Sequence, residues 1–85
     1  MNNYPKIKSV KALKDKKLEI SFDCNIKKIY DCNKLIQKES FKILENDLFF
    51  KNVHTDSGGY GIIWNDDVDL SESELWLNGK EIQTT

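Results

Sequence analysis

The stretch Ile7-Lys8-Ser9-Val10-Lys11-Ala12-Leu13-Lys14-Asp15-Lys16-Lys17-Leu18-Glu19-Ile20-Ser21-Phe22-Asp23 decides the fold class. Leu18, Ile20 and Phe22 alternate strictly with Glu19 and Ser21. Successive side chains of a strand point to opposite faces, so this arm has an apolar core face and a polar solvent face. The polar turn Asp15-Lys16-Lys17 joins it to a first arm over Ile7 to Leu13, which predicts a hairpin. Val10 and Leu13 stand three apart and cannot share one face of an uninterrupted strand, so a bulge is expected near Ala12. Asp23-Cys24-Asn25 supplies turn chemistry, and a third strand is expected at about Ile26 to Tyr30.

Beyond Tyr30 the period changes. Asp31 or Asn33 can cap a short helix holding Leu35 and Ile36, and a second helical stretch carries Phe41 and Leu44 at i, i+3 with Leu48 a further turn on. Ser57-Gly58-Gly59 separates Phe49 to Asp56 from Tyr60 to Trp64, which reads as a second hairpin because two glycines supply positive φ without steric cost. Ser71 followed three residues later by Glu74 is a capping-box signature ahead of Leu75-Trp76-Leu77, and Gly79 is placed to end that single helical turn. The expected fold is α+β: a small antiparallel-rich sheet of about five strands in two hairpins, with short helices between strands 3 and 4 and a one-turn helix near the C-terminus.

The 85 residues, 39% hydrophobic and 32% charged, suit one domain over residues 1–85 and leave little material for a deep enclosed pocket. No apolar run approaches the roughly 20 residues needed to span a bilayer, and the N-terminus lacks a signal-peptide apolar region, so a cytoplasmic protein without membrane contact is expected. Cys24 and Cys32 lack CxxC spacing and read as ordinary semi-buried thiols. Net charge is −1, yet residues 1–42 carry eleven Lys against five acids while residues 43–85 carry two Lys against nine. This asymmetry makes the Lys-rich N-terminal hairpin a second candidate contact, for nucleic acid, although the chain has no Arg, the residue best suited to clamping phosphates bidentately.

Three stretches resemble, in order, the small bacterial family known as domain of unknown function 2442. They are Leu18-x-Ile20-x-Phe22 with its Asp/Asn turn and Asp31; Phe41-x-x-Leu44 leading into Phe49 and Val53; and Trp64 with Asp69-Leu70-Ser71 and Leu75-Trp76. Asn25 stands where that pattern has Gly, and Asn65 and Asp67 where it has Pro and Gly. The resemblance implies an α+β fold and no particular activity; relatives joined to a repressor-like helix-turn-helix imply a sensing or pairing role.

Candidate chemistry is sparse. His54 and Asp56 could share a strand face as an acid/base pair, but no nucleophile accompanies them. Asp67-x-Asp69-x-Ser71 imitates the start of a calcium loop, but Glu72 stands where the sharp turn needs Gly and Asn78 where a bidentate Glu is required. A turn feeding a helix N-terminus explains the acids better, with Asp69 binding backbone amides near the cap. Tyr4, Tyr30, Phe49, Phe50, Tyr60, Trp64 and Trp76 exceed what a tiny core readily hides, and Phe49 and Phe50 are adjacent. The expectation is a non-catalytic module with no metal or cofactor, binding a small ligand or protein partner through Trp64, Asp69, Trp76, Tyr60 and His54. The alternative is a regulatory accessory, toxin–antitoxin or transcription-linked, that contacts nucleic acid. Pairing into a symmetric homodimer is expected separately.

Overall fold

A computed structural model describes residues 4–82. The α+β class holds, with seven strands divided between two antiparallel sheets among the described residues. The first sheet has the order β1-β2-β3-β7, formed by Ile7–Leu13, Lys17–Phe22, Lys27–Asp31 and Lys80–Glu81. The second has the order β4-β5-β6, formed by His54–Thr55, Gly61–Asn65 and Val68–Ser71. The whole second sheet is therefore inserted, in sequence, between the third and fourth strands of the first.

The alternation in β2 does what its pattern dictates: Leu18, Ile20 and Phe22 are buried, and Tyr30 of β3 joins them opposite Leu18. They belong to one buried cluster with Ile62, Trp64, Val68 and Leu70 from the second sheet and with Leu35, Leu44, Phe50 and Leu75 from the helical segments. The first arm is bulged, but not near Ala12. The register shifts between Ile7 and Ser9, and Ala12 lies in regular register opposite Leu18. The extra residue at Lys8 is what lets Ile7, three positions before Val10, reach the core face. Asn25 adopts φ 67°, the left-handed turn conformation that asparagine tolerates.

Helical residues between β3 and β4 are mostly 3-10: Leu35–Gln37 and Glu39–Glu45, with Leu44 fully buried. The expected continuation to Leu48 fails. The chain breaks at Asn46, whose side chain accepts the Phe49 N–H (2.9 Å) and starts a separate helix, α1, over Asp47–Lys51. Phe50 is then the buried residue and Leu48 is 76% exposed. The second hairpin is correspondingly shorter than its sequence suggests, since Phe49 and Phe50 belong to α1 and only His54–Thr55 pairs with β5. A further hairpin, β5–β6, turns at residues 65–67, where Asn65 Oδ1 accepts the N–H groups of Asp67 and Val68 (both 2.9 Å).

The last helix, α2, spans Glu72–Asn78, two turns rather than one. Ser71 Oγ accepts the Glu74 N–H at 3.2 Å, and Gly79 closes the helix with its N–H on Leu75 O at 2.9 Å. Replacing Ser71 by alanine removes this cap and is expected to cost about 1 kcal/mol, a loss of about 4–8 °C in Tm that Ser71→Asp should largely avoid. Differential scanning calorimetry of the two variants checks it. No helix among the described residues is long and apolar enough to cross a membrane.

Candidate functional site

The five residues singled out from the sequence do not converge. Trp64 is 5% exposed, stacked in tilted fashion on Phe50 with centroids 6.1 Å apart, and its Nε1 donates to Phe50 O at 2.9 Å. It is a core residue at a bulge, where Trp64 and Asn65 together face Val68. Trp76 is half-buried on α2, edge-on to Phe22 at 5.0 Å, with the Lys28 ammonium 3.9 Å from its ring centroid. Tyr60 is exposed, and Lys6 sits over its ring at 4.4 Å.

His54 and Asp69 share the outer face of the second sheet, in one row with Ile63 between them. Two strand spacings hold them roughly 10 Å apart. Asp69 does not bind the amides near the helix cap; Ser71 does that, and Asp69 is exposed. Nor do His54 and Asp56 pair. His54 Nδ1 lies 3.2 Å from Asn52 O, and Asp56 Oδ1 is used by the N–H groups of Gly58 (3.1 Å) and Tyr60 (2.8 Å) to hold the turn. Among the described residues no three His, Cys, Asp or Glu side chains gather as a metal would require.

The structure instead brings together groups from β3, the 3-10 turn Leu35–Gln37 and α2. The capping box is only half made: Glu74 gives its N–H to Ser71, but its carboxylate turns away from the cap. Glu74 Oε2 accepts from Tyr30 Oη at 2.8 Å and from Asn78 Nδ2 at 3.0 Å. Asn78 is one α-helical turn after Glu74 and therefore on the same face. Across from this wall, Lys34 and Lys38 flank the turn Leu35–Gln37, with Leu35 at the base. These six side chains line an open cleft of about 570 Å³, of a size that holds small ligands. Asp31 lines it too; its Oδ1 accepts from the backbone N–H (2.9 Å) and Nδ2 (2.7 Å) of Asn33, which lowers its pKa. None of the five residues singled out from the sequence lines this cleft.

Two protons, one on cleft-lining Tyr30 and one on buried Cys32, are held tightly. Burial first, and then the hydrogen bond to Glu74, raises the pKa of the Tyr30 hydroxyl above its ordinary 10.0. Cys32 is fully buried, and burial followed by the field of Asp31 pushes its thiol from 9.0 up to about 12. The folded chain keeps these protons where the unfolded chain releases them. The stability these two groups contribute is therefore complete below about pH 9 and falls as pH rises toward the folded values. Cys32 alone gives a slope approaching about 1.4 kcal/mol per pH unit, and Tyr30 steepens it above pH 10. Urea midpoints at pH 8, 9.5 and 10.5 test this. Cys32→Ala should flatten the first part of the decline, and an unchanged midpoint in the parent chain would contradict it.

A second cleft, of about 500 Å³, lies where the β1–β2 turn meets α1. Lys16 bridges it by pairing with Asp47, which lowers the pKa of that carboxyl group.

Comparison with curated proteins and with solved structures returns no match. The family model described as protein of unknown function DUF2442 matches residues 7–81. That span runs from the first residue of β1 to the last of β7, covering both sheets and both walls of the cleft. The chain belongs to the DUF2442 family.

Proposed function

We propose that this chain is a non-catalytic ligand-binding module and that it takes small molecules in the cleft between β3 and α2. The observation that carries the reading is the convergence of Tyr30, Glu74 and Asn78 in one hydrogen-bonded set, facing two lysines over a buried leucine. Few polar groups placed around an apolar base are the usual make-up of a small-molecule site. Two features support a binding rather than a catalytic role. His54 and Asp56 are engaged with separate backbone groups, and the Cys32 thiol is buried and protonated at neutral pH. Screening a fragment and metabolite library against 15N-labelled protein by NMR tests the proposal. Ligands should shift the amides of Tyr30, Leu35, Glu74 and Asn78 together; a library that leaves all four unmoved at millimolar concentration overturns it.

A second reading is favoured by the outer face of the first sheet. In register across it stand Lys11 beside Glu19, Lys17 beside Asp31, Lys27 beside Ser21, and Lys80 beside Ile29. This lysine-rich face, without aromatic side chains, suits contact with a phosphate backbone rather than stacking on bases. Binding of a 20-mer duplex followed by fluorescence anisotropy should then weaken with a log–log salt slope of about −2 to −4. Absence of binding at 20 mM salt would dismiss it.

A further inference from the structure

We infer that the ligand of the β3–α2 cleft is a small zwitterion of the amino-acid class, its ammonium held by Glu74 and its carboxylate by Lys34 and Lys38. The inference rests on the reading of that cleft as a binding site and adds the chemistry of what enters it.

The two walls carry opposite charge and do not neutralise each other. Glu74 Oε2 takes both intramolecular hydrogen bonds, from Tyr30 and Asn78, and these fix the carboxylate in place while leaving Oε1 as an acceptor without a protein donor among the described residues. The ion pairs among those residues are Lys6 with Glu72 and Lys16 with Asp47, so neither Lys34 nor Lys38 stands within 4.0 Å of Glu74. Both are exposed at the two ends of the Leu35–Gln37 turn. The tight turn repeats every three residues, which places Lys38 on the same side as Leu35. The other carboxylate of the cleft, Asp31, is partly occupied by Asn33 and stands in register opposite Lys17 of β2.

An entering ligand therefore meets a fixed negative wall and a flexible positive one across an apolar base. A simple anion would satisfy the lysines but face Glu74 unpaired, and a simple cation would meet two like charges. Only a molecule with both charges on one short skeleton compensates both walls, and the carboxylate–ammonium contacts are charge-assisted hydrogen bonds, the stronger kind. Glu74 is held on two sides, so its ordering cost is met before the ligand arrives.

The probe is L-alanyl-L-alanine, compared with its N-acetyl and its C-terminal amide forms, each titrated into the 15N-labelled full chain. The free dipeptide should shift the amides of Leu35, Glu74 and Asn78, and each blocked form should bind at least tenfold more weakly. Glu74→Gln, which keeps the contacts to Tyr30 and Asn78, should abolish the discrimination against N-acetylation alone. The exposed pair Lys34→Met and Lys38→Met should abolish the discrimination against amidation alone. Equal binding of all three peptides, or binding of library ligands without any of these peptides, overturns the zwitterion while leaving the cleft as a site. If neither peptides nor library move those amides, the binding reading falls with it.

Discussion

Trp64→Ala is expected to leave the chain unfolded or nearly so at room temperature. The indole is 5% exposed, packs on Phe50 and donates to Phe50 O at 2.9 Å, so the substitution opens a cavity at the meeting point of the second sheet and α1. Truncating a buried tryptophan costs about 3–5 kcal/mol. A domain of this size has stability near the lower end of the usual range of about 5–15 kcal/mol, so the loss consumes most of it. Trp64→Phe keeps much of the ring volume but leaves the Phe50 carbonyl without its donor, and should cost about 1–3 kcal/mol. Trp76→Ala, at a half-buried ring edge-on to Phe22, should be the mildest of the three. Far-UV circular dichroism with urea titration ranks them. A cooperative Trp64→Ala transition with a urea midpoint close to the parent's would show that the residue is not part of the core.

Gly59→Ala should be the second most damaging change, although it adds one methyl group. Gly59 has φ +75°, and a β-carbon there would lie 2.7 Å from the backbone oxygen of Ile7, a distance that real side chains do not occupy. The left-handed conformation costs an alanine about 1–2 kcal/mol, and backing away from Ile7 would break the Ile7 N–H bond to Gly59 O at 2.8 Å. The total is on the order of 3 kcal/mol by those two contributions. Gly58→Ala is the matched control. Its nearest obstacle is the exposed Tyr60 ring, which can swing aside, so its midpoint should move far less. Equal effects at the two positions would mean that the contact between Ile7 and the turn is not a constraint on the fold.

The parts of the fold that were legible in the sequence are those fixed by local pattern. Leu18, Ile20 and Phe22 announce their strand and its buried face, and Ser71 announces a helix start, because alternation and capping act within a few residues. The position of the bulge was not legible, since a three-residue spacing of apolar side chains occurs both between Ile7 and Val10 and between Val10 and Leu13, and only pairing with β2 selects the first. Phe49 and Phe50 read as strand residues by composition, but one side-chain hydrogen bond from Asn46 starts a helix there. Strand β7 has two residues and no pattern of its own; it exists because β3 offers an edge.

The candidate site was less legible than the fold for the same reason. Tyr30 and Glu74 are 44 positions apart, and nothing local ties them together. Glu74 was visible only as half of a capping box, a role its backbone fulfils while its carboxylate does something else. The tryptophans, conspicuous as residue types, went to the core and its margin because large rings contribute more burial than any other side chain.

The insertion of the second sheet between β3 and β7 bears on how the chain is made. During synthesis the hairpins β1–β2 and β2–β3 can close as soon as they emerge, because their partners are adjacent. The outer edge of β3 must wait for Lys80 and Glu81, roughly fifty residues later, and for Ile82, whose N–H bonds Lys27 O at 3.0 Å. Until those residues emerge, a nascent three-stranded sheet presents bare backbone donors and acceptors along that edge. The wall of the cleft built by α2 belongs to the same late-emerging stretch, so the cleft takes shape only once that stretch has been made.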